Sequence, residues 1–262
     1  MSFLIPAIKS LAYLSVPIVI CRQASASSPT ARYYIRLGLY LGCMTAVATC
    51  AAFVAVGMSL VGRKYDVNYV VARTFYAVAG KALGISIVIE GEEYLNTKPA
   101  VLMQNHQSML DILFVGGYAG FFTMLWVLMV FFFRLFPTRA CIISKKSLQY
   151  SPLGPFMLMS GAIFIDRGDN VRAVQSLRAA GQKMKASKLG LWLFPEGTRH
   201  SSEETNMLPF KKGGFHLAIQ SGLPIVPVVT ENYWRIYHKG IFDSGVVRIR
   251  GMYGFPQHLG QR

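Results

Sequence analysis

The sequence predicts an α/β domain, with a mixed sheet flanked by helices, preceded by an N-terminal helical membrane anchor. Three observations lead to this class. Six short continuous apolar runs are separated by polar or helical stretches, as in a sheet that is covered on both faces. Hydrophobic residues make up 53% of the chain and charged residues only 15%, against about 25% charged in ordinary soluble domains. A long segment near the N-terminus carries no formal charge at all.

The anchor is predicted in residues 1–66, as one or two hydrophobic helices. Residues 37–61 form an uncharged run of about 25 residues, which is enough for a helix to cross a hydrocarbon core of ~30 Å. Residues 3–20 form a weaker span, interpreted as a second membrane segment, an interfacial helix or a signal peptide. We favour an uncleaved anchor. The Ser- and Ala-rich residues 22–34 are expected to form a loop between the two segments.

The α/β domain is predicted at residues 67–250, followed by a short irregular tail at 251–262. A helical pattern at 68–83 ends at Gly84. A helix is expected at 171–188, beginning near Asp169 or Asn170, and another covers 214–220. Strands are predicted at 85–89, 100–103, 140–143, 162–165, 191–194, 225–229 and 246–249.

Charge and cysteine content restrict the class of ligand. Lys and Arg number 27 against 12 acidic residues, a net charge of +15. Such a balance attracts nucleic acid, anionic membrane surfaces or phosphorylated ligands. The hydrophobic anchor and the lack of a nucleic-acid-binding motif argue against nucleic acid, which leaves anionic lipid and phosphate. The four cysteines form no C-x-x-C pair, so neither a disulfide framework nor a zinc site is indicated.

The run NHQSMLD, residues 105–111, follows the strand predicted at 100–103. His106 and Asp111 do not share one face of a regular helix, where facing residues are three or four apart. They meet if His106 lies on the turn and Asp111 begins the following helix. Asp111 then accepts the imidazole N–H, fixes its tautomer and makes the other nitrogen a better base. Taken alone the pattern is common by chance, and a single histidine is more often structural.

The run FPEGTR, residues 194–199, also ends a predicted strand. Gly197 allows a ligand to approach the backbone closely, and Arg199 is suited to bidentate contact with a phosphate. The alternative is an ordinary tight turn with a surface pair between Glu196 and Arg199. Such strand ends are where open α/β sheets gather their binding groups.

Two further runs stand at strand ends. GAIFIDR, residues 161–167, ends in an Asp-Arg pair that is either a ligand contact or a local ion pair. In LPIVPVV, residues 223–229, prolines flank a buried strand, which predicts an edge or an irregular place in the sheet.

These four runs, in this order, resemble the four motif blocks of the 1-acyl-sn-glycerol-3-phosphate acyltransferases. The likeness covers most of residues 75–250, and the linking runs at 144–148 and 207–213 resemble eukaryotic, especially fungal, members. The resemblance implies the glycerolipid acyltransferase fold. It also implies transfer of a fatty acyl group from acyl-CoA to the sn-2 hydroxyl of lysophosphatidic acid, giving phosphatidic acid in phospholipid biosynthesis. Acceptors left open are another lysophospholipid and glycerol phosphate, and an inactive lipid-binding relative is the third alternative.

The resemblance also implies roles for particular residues. His106 is the expected general base and Asp111 orients it, so no acyl-enzyme is needed. Glu196, Gly197 and Arg199 are expected to hold the glycerol phosphate, and Pro227 with its neighbours to line the acyl side. In full, the expected substrate-binding residues are Asn105, Arg167, Glu196, Gly197, Thr198, Arg199 and Pro227.

Partners follow from the same likeness. The expected small molecules are acyl-CoA, as co-substrate, and lysophosphatidic acid. No metal and no bound cofactor is expected. The expected location is a lipid bilayer, in the endoplasmic reticulum. Lys145 and Lys146 are interpreted either as phosphate or membrane contacts or as solvated surface.

Residues 112–133 depart from the family pattern. They form an uncharged run of about 22 residues, long enough for a membrane helix, and 117–133 is an insert relative to the family. Three interpretations are a membrane-dipping hairpin or helix, an extended apolar active-site helix, and a translated intron, an origin that the patternless tail also suggests. A full crossing would place His106 and Arg199 on opposite sides of the membrane, so we predict none. Displacement of the helix that carries Asp111 would prevent activity.

Overall fold

The computed structural model is built around a seven-stranded sheet. It describes residues 4–117, 140–145, 149–150, 154–165 and 170–253. The strands are β1 (Ile85–Glu90), β2 (Ala100–Gln104), β3 (Ala140–Lys145), β4 (Ile163–Ile165), β5 (Gly190–Leu193), β6 (Ile225–Thr230), β7 (Tyr237–His238), β8 (Ile241–Phe242) and β9 (Gly245–Gly251).

Helices precede the sheet and connect its strands. A π-helical turn (Tyr76–Gly80) joins α3 to the short α4. The helices are α1 (Leu4–Ser27), α2 (Pro29–Leu60), α3 (Val67–Phe75), α4 (Lys81–Leu83), α5 (Glu92–Leu95), α6 (Asp111–Gly117), α7 (Gly154–Met159), α8 (Asn170–Ser187) and α9 (Gly213–Ser221).

The sheet is mixed, with a parallel majority. Its order is β1-β9-β6-β2-β5-β3-β4, and only the β6–β9 pair is antiparallel. The strands β7 and β8 form a separate hairpin. The predicted fold class is confirmed, and all seven predicted strands are present within one or two residues of their expected bounds.

Helices cover both faces of the central strands. All five residues of β2 are buried, because Ala100 and Leu102 join the core shared with α2, α3 and α6, while Val101 and Met103 join the core shared with α8 and α9. Strands buried on both faces lack the alternation of half-buried strands. This explains why continuous apolar runs located them. Gly116 lets α6 approach α3, since a Cβ there would overlap the Ala72 carbonyl.

The predicted loop at residues 22–34 is wrong. Helix α1 continues to Ser27 and α2 begins at Pro29, so only Ser28 interrupts the helices. Ser28 caps α2, accepting the backbone N–H of Ala31 at 3.3 Å, and proline suits the first position of a helix, where its missing N–H has no partner to lose. The cap and the proline turn a Ser- and Ala-rich segment into a break of one residue.

Helix α2 is long and apolar enough to cross a membrane, by length and composition. One of its sides, however, packs on the α/β domain along most of its length, burying Tyr40, Val47, Ala51, Ala55 and Met58. The other side exposes large apolar residues to the surroundings of the domain. These are Leu39, Leu41, Phe53, Val56 and Leu60.

Several predictions fall outside the described residues. Most of the insert at 117–133 and most of the tail at 251–262 do so, as does Asp169. Helix α6, at the start of the uncharged run, is described to Gly117. The predicted helix at 171–188 is α8, which begins at Asn170.

Candidate active site

Three loops meet at one edge of the sheet. They follow β2, β5 and β6, which are neighbours and run parallel, so their carboxyl ends lie together. Ligands bind at this position in open α/β sheets. The His200 backbone N–H donates to the His106 carbonyl at 2.8 Å. The Gln107 side-chain amide donates to the carbonyl oxygens of Thr230 and Glu231 at 3.1 and 3.0 Å.

The loop after β2 brings together the histidine and the carboxylate that the sequence singled out. His106 Nδ1 lies 2.8 Å from Asp111 Oδ2. Asp111 begins α6 and is fully buried, whereas 16% of the His106 side chain is exposed. The same carboxylate oxygen accepts the backbone N–H groups of Gln107 at 2.7 Å and Ser108 at 3.0 Å. A carboxylate acceptor assigns the imidazole proton to Nδ1, so Nε2 is the basic nitrogen.

The arrangement predicted for His106 and Asp111 is therefore present, with the histidine on the turn and the aspartate at the helix start. The uncharged run after Asp111 does not displace α6 from the pair. That His106 acts as a base remains a prediction.

Glu196 and Phe194 hold the His106 segment from the side of β5. The Glu196 side chain is buried, and its two oxygens accept the backbone N–H groups of His106 at 2.7 Å and Leu208 at 3.0 Å. The rings of Phe194 and His106 are stacked, with centroids 3.9 Å apart and 17° between planes. Glu196 thus contacts the protein through both oxygens, and its predicted contact with glycerol phosphate stays a prediction.

The remainder of the FPEGTR run faces outward. Gly197 has a φ of 72°, a backbone conformation that favours glycine. Thr198 and Arg199 are exposed. Among the residues that the structure describes, no hydrogen bond or ion pair occupies the Arg199 guanidinium, and the predicted surface pair with Glu196 is not formed. An arginine without a partner in this described part of the chain suits the predicted phosphate contact, which stays a prediction.

Two other predicted residues belong to the sheet itself. The Asn105 amide exchanges two hydrogen bonds with the Thr230 backbone, at 3.0 and 2.9 Å, and so fastens the end of β2 to the end of β6. Pro227 pairs with Met103 of β2 and lies just before the point where β9 begins to pair with β6. β6 is an inner strand, and the Pro227 carbonyl accepts the Met252 N–H at 3.0 Å. The proline thus lies at the irregular end of the β6–β9 pairing, where a missing N–H is tolerated. Substrate contact by either residue stays a prediction.

Arg167 and Lys146 lie outside the described residues, and of Lys145 only the backbone is described, in β3. Within the described part of the chain, no group of three His, Cys, Asp or Glu side chains is placed to hold a metal ion.

Two tyrosines that the sequence did not single out complete the surroundings. The Tyr233 hydroxyl, after β6, lies 2.8 Å from Asp111 Oδ1. From α2, the Tyr40 hydroxyl donates to the Met109 carbonyl at 2.7 Å. Each contact joins residues far apart in sequence, so no local pattern indicates either one.

The positive charge of Arg199 acts on Tyr237. Burial, followed by the neighbouring Tyr33, raises the pKa of Tyr237, and the positive charge of Arg199 partly offsets this. Tyr33 and Tyr40 both belong to α2. The N-terminal half of α2 contacts the loop after β2 through the bond from Tyr40 to Met109.

A histidine held by a buried carboxylate, beside an exposed arginine at the carboxyl edge of an α/β sheet, defines a site that can deprotonate a hydroxyl on an anionic substrate. The acyltransferase family model matches residues 86–231, which contain the loops after β2 and β5. The chain belongs to this acyltransferase family, and the family resemblance seen in the sequence is confirmed.

Several proteins of this family are similar to the chain. The 1-acyl-sn-glycerol-3-phosphate acyltransferase of Saccharomyces cerevisiae is 37% identical over 221 residues, covering 83% of this chain and 67% of that protein. The human 1-acyl-sn-glycerol-3-phosphate acyltransferase alpha is 32% identical, covering 85% and 72%. The crystal structure of the acyltransferase PlsC from Thermotoga maritima has a TM-score of 0.58 at 23% identity, covering 88% of this chain and 90% of that one. This last likeness supports the fold.

Proposed function

We propose that the protein transfers a fatty acyl group from acyl-CoA to the sn-2 hydroxyl of 1-acyl-sn-glycerol 3-phosphate, giving phosphatidic acid. The relatives named above carry that acceptor in their names. The observation that carries the proposal is the contact of 2.8 Å between His106 Nδ1 and a fully buried Asp111 carboxylate. It leaves Nε2 as the basic nitrogen, and the exposed Arg199 lies on the neighbouring loop after β5.

The geometry supports a direct transfer. Nε2 of His106 takes the proton of the acceptor hydroxyl while its oxygen attacks the thioester carbonyl carbon. The carbon–sulfur bond then breaks, and the imidazolium returns its proton to the thiolate of coenzyme A. Asp111 stabilises the imidazolium while it exists, as carboxylates do in other His–Asp pairs. The acyl group passes directly from sulfur to the acceptor oxygen, and the proton passes from the hydroxyl to the thiolate through His106. No acyl-enzyme is therefore needed.

Arg199 supports the choice of a phosphate-bearing acceptor. Arg199 directly precedes His200, whose backbone N–H donates to the His106 carbonyl. The loop that carries the arginine is thus bonded to the loop that carries the proposed base. A guanidinium binds phosphate through two parallel N–H groups. We expect a phosphate held there to direct a glycerol hydroxyl towards His106.

The apolar helices support a bilayer as the site of the reaction, and we place it in the endoplasmic reticulum. The acceptor is a lipid, and the side of α2 that faces away from the domain exposes Phe53 at 77% and Leu60 at 82%. Replacing both with aspartate should release the protein from membranes on flotation. Retention of this double variant would argue against lipid contact on that side.

The decisive assay supplies membranes containing the protein with labelled acyl-CoA and a panel of acceptors: lysophosphatidic acid, other lysophospholipids and glycerol phosphate. The variant is His106→Ala, and the matched control is His216→Ala, an exposed histidine on α9. Loss of a general base lowers the rate about 10²–10⁴-fold, so phosphatidic acid should form with wild type and with His216→Ala alone.

Each other result has a meaning. Product from a different acceptor, still dependent on His106, keeps the chemistry and changes the substrate. Equal background with wild type and His106→Ala would reject every enzymatic function and favour an inactive lipid-binding relative.

A further inference from the structure

Tyr233 reaches the buried end of the His106–Asp111 pair from the loop after β6. Its side chain is 1% exposed, and its ring meets the ring of Phe114, in α6, edge to face at 4.9 Å between centroids. The hydroxyl lies 2.8 Å from Asp111 Oδ1 and 2.9 Å from Ser108 Oγ. The tyrosine therefore contacts both the helix that carries the aspartate and the aspartate itself.

The two oxygens of Asp111 are held by different groups. Oδ2 accepts from His106 Nδ1 and from the backbone N–H groups of Gln107 and Ser108. For Oδ1, the donor found in the described part of the chain is the Tyr233 hydroxyl. Because Asp111 is fully buried, water does not replace that donor, and its loss leaves a charged oxygen unpaired in the interior.

Tyr233 is suited to be a permanent donor. Burial, and then the negative charge of Asp111, raises the pKa of Tyr233 well above its ordinary value. The phenol consequently keeps its proton throughout the pH range in which a histidine titrates.

The position of the hydroxyl is fixed by the backbone. The side chain of Gln107 spans the two loops, since its amide nitrogen donates to the Glu231 carbonyl at 3.0 Å and its oxygen accepts the Tyr233 N–H at 3.4 Å. The loop after β6 is thus fastened to the loop after β2 just before the tyrosine and at its own backbone N–H.

We propose that Tyr233 is a positioning residue for acyl transfer, which orients Asp111 and limits how strongly Asp111 holds the proton of His106. The inference rests on the proposed role of His106 as base. A donor to Oδ1 draws negative charge away from Oδ2. Without it, Asp111 turns more freely and stabilises the imidazolium more strongly.

Tyr233→Phe tests this with little change in packing, because the ring stays. We expect kcat to fall about ten- to hundredfold, the usual range for residues that support a ligating or catalytic group, with the KM for lysophosphatidic acid within about twofold. Because the imidazolium persists to higher pH, the pH of half-maximal kcat/KM on the acid side should move upward. Tyr76→Phe is the matched control, since it removes a hydroxyl that accepts the Ile87 N–H at 3.1 Å; its rate and profile should match wild type.

A double-mutant cycle separates positioning from general stabilisation. Tyr233 acts through Asp111, so in an Asp111→Ala background the further change Tyr233→Phe should cost less than about threefold. An equal loss in both backgrounds, or an unchanged rate and pH profile in Tyr233→Phe alone, would overturn the proposal. Rates are compared per folded molecule.

If Tyr233→Phe does not accumulate, 3-fluorotyrosine placed at position 233 replaces it, because it keeps the ring and makes the hydroxyl a stronger donor to Asp111 Oδ1. The acid limb should then move downward, and an acid limb that does not move rejects the inference. If wild type is active and Tyr233→Phe has the same rate and pH profile, only the role of Tyr233 is rejected. Activity that is unaffected by His106→Ala rejects the proposed function itself.

Discussion

The loops after β2 and β5 lie side by side at the carboxyl edge of the sheet and are held in different ways. In the first, Asp111 is fully buried and each of its oxygens has a donor. In the second, Glu196 is buried against the His106 backbone, but Gly197, Thr198 and Arg199 are exposed. The carboxylate of the loop after β2 is thus enclosed by protein, whereas the guanidinium of the loop after β5 is exposed to solvent.

The difference agrees with the roles proposed for the two regions. A base must stand in a fixed direction before its substrate arrives, so its supporting carboxylates are buried and fully bonded. The guanidinium of Arg199, the proposed phosphate ligand, has no hydrogen-bond or ion-pair partner among the described residues. Burying an unpaired charge costs several kcal/mol. An exposed Arg199 avoids that cost. The His106–Asp111 pair is preorganised, whereas the proposed contact between Arg199 and an anion would form only when the ligand binds.

The strongest test of this contrast is Glu196→Gln. The amide puts an NH₂ group opposite the backbone N–H of His106 or of Leu208, each of which now donates to a carboxylate oxygen. We expect a loss of about 1–3 kcal/mol in unfolding free energy, as for a buried donor left unsatisfied, and a fall in kcat on the order of 10²-fold. Thermal unfolding and acyl transfer, measured on the same sample, check this.

Glu204→Gln is the matched control, an exposed glutamate in the loop that follows FPEGTR. It should change stability by no more than about 0.5 kcal/mol. If Glu196→Gln retained full stability and raised only the KM for the acceptor, Glu196 would belong with Arg199 as a phosphate ligand, as the sequence predicts, and the contrast would disappear.

Arg199→Ala should have the next largest effect and leave the fold intact. The loss of charge-assisted contacts to a phosphate is worth about 1.5–3 kcal/mol, which lowers kcat/KM about ten- to hundredfold. Because the side chain is exposed, the melting temperature should not change. The comparison acceptor is a monoacylglycerol, which lacks the phosphate; with it, wild type and variant should be equally slow.

Arg235→Ala is the control for general charge, since Arg235 is 71% exposed near the same edge and pairs with Glu231 at 3.5 Å. It should leave kcat/KM within about twofold, as expected for a surface ion pair. An equal loss in both variants would show that net positive charge, rather than Arg199, attracts the acceptor.

The sheet was predictable from the sequence because its central strands are buried on both faces. Runs such as 100–103 are then apolar at each position, and their ends carry the turn residues. The hairpin of β7 and β8 was not indicated, since strands of two residues have no period. The break between α1 and α2 was predicted too long, because a cap at Ser28 and a proline at position 29 suffice to separate two helices.

The site was predictable where its members are close in sequence. His106 and Asp111 lie five positions apart, so a strand, a turn and a helix start bring them together. Tyr233 is 122 positions from Asp111 and depends on the pairing of β2 with β6. The bond from Glu196 to the His106 backbone likewise depends on β2 and β5 being neighbours. Contacts across neighbouring strands follow from sheet order, which a single sequence does not specify.

The smallest effect is expected from removing the hydrogen bond between Tyr40, in α2, and the loop after β2. Tyr40 is fully buried, and its hydroxyl donates to the Met109 carbonyl at 2.7 Å. Tyr40→Phe removes that bond and keeps the ring against Phe75 at 5.4 Å. We expect a loss of about 0.5–1.5 kcal/mol in stability and less than about threefold in kcat, because Asp111 keeps its own donors.

Tyr34→Phe is the control on the same helix, since Tyr34 is 65% exposed; it should match wild type in stability and in rate. A fall of more than about tenfold in kcat for Tyr40→Phe, at unchanged stability, would contradict the expectation. The loop after β2 would then owe its arrangement to α2 and not to the α/β domain alone. Since α2 also exposes an apolar side, such a result would make the activity of His106 depend on how α2 is seated in lipid, and measuring Tyr40→Phe in detergent and in vesicles would separate the two contributions.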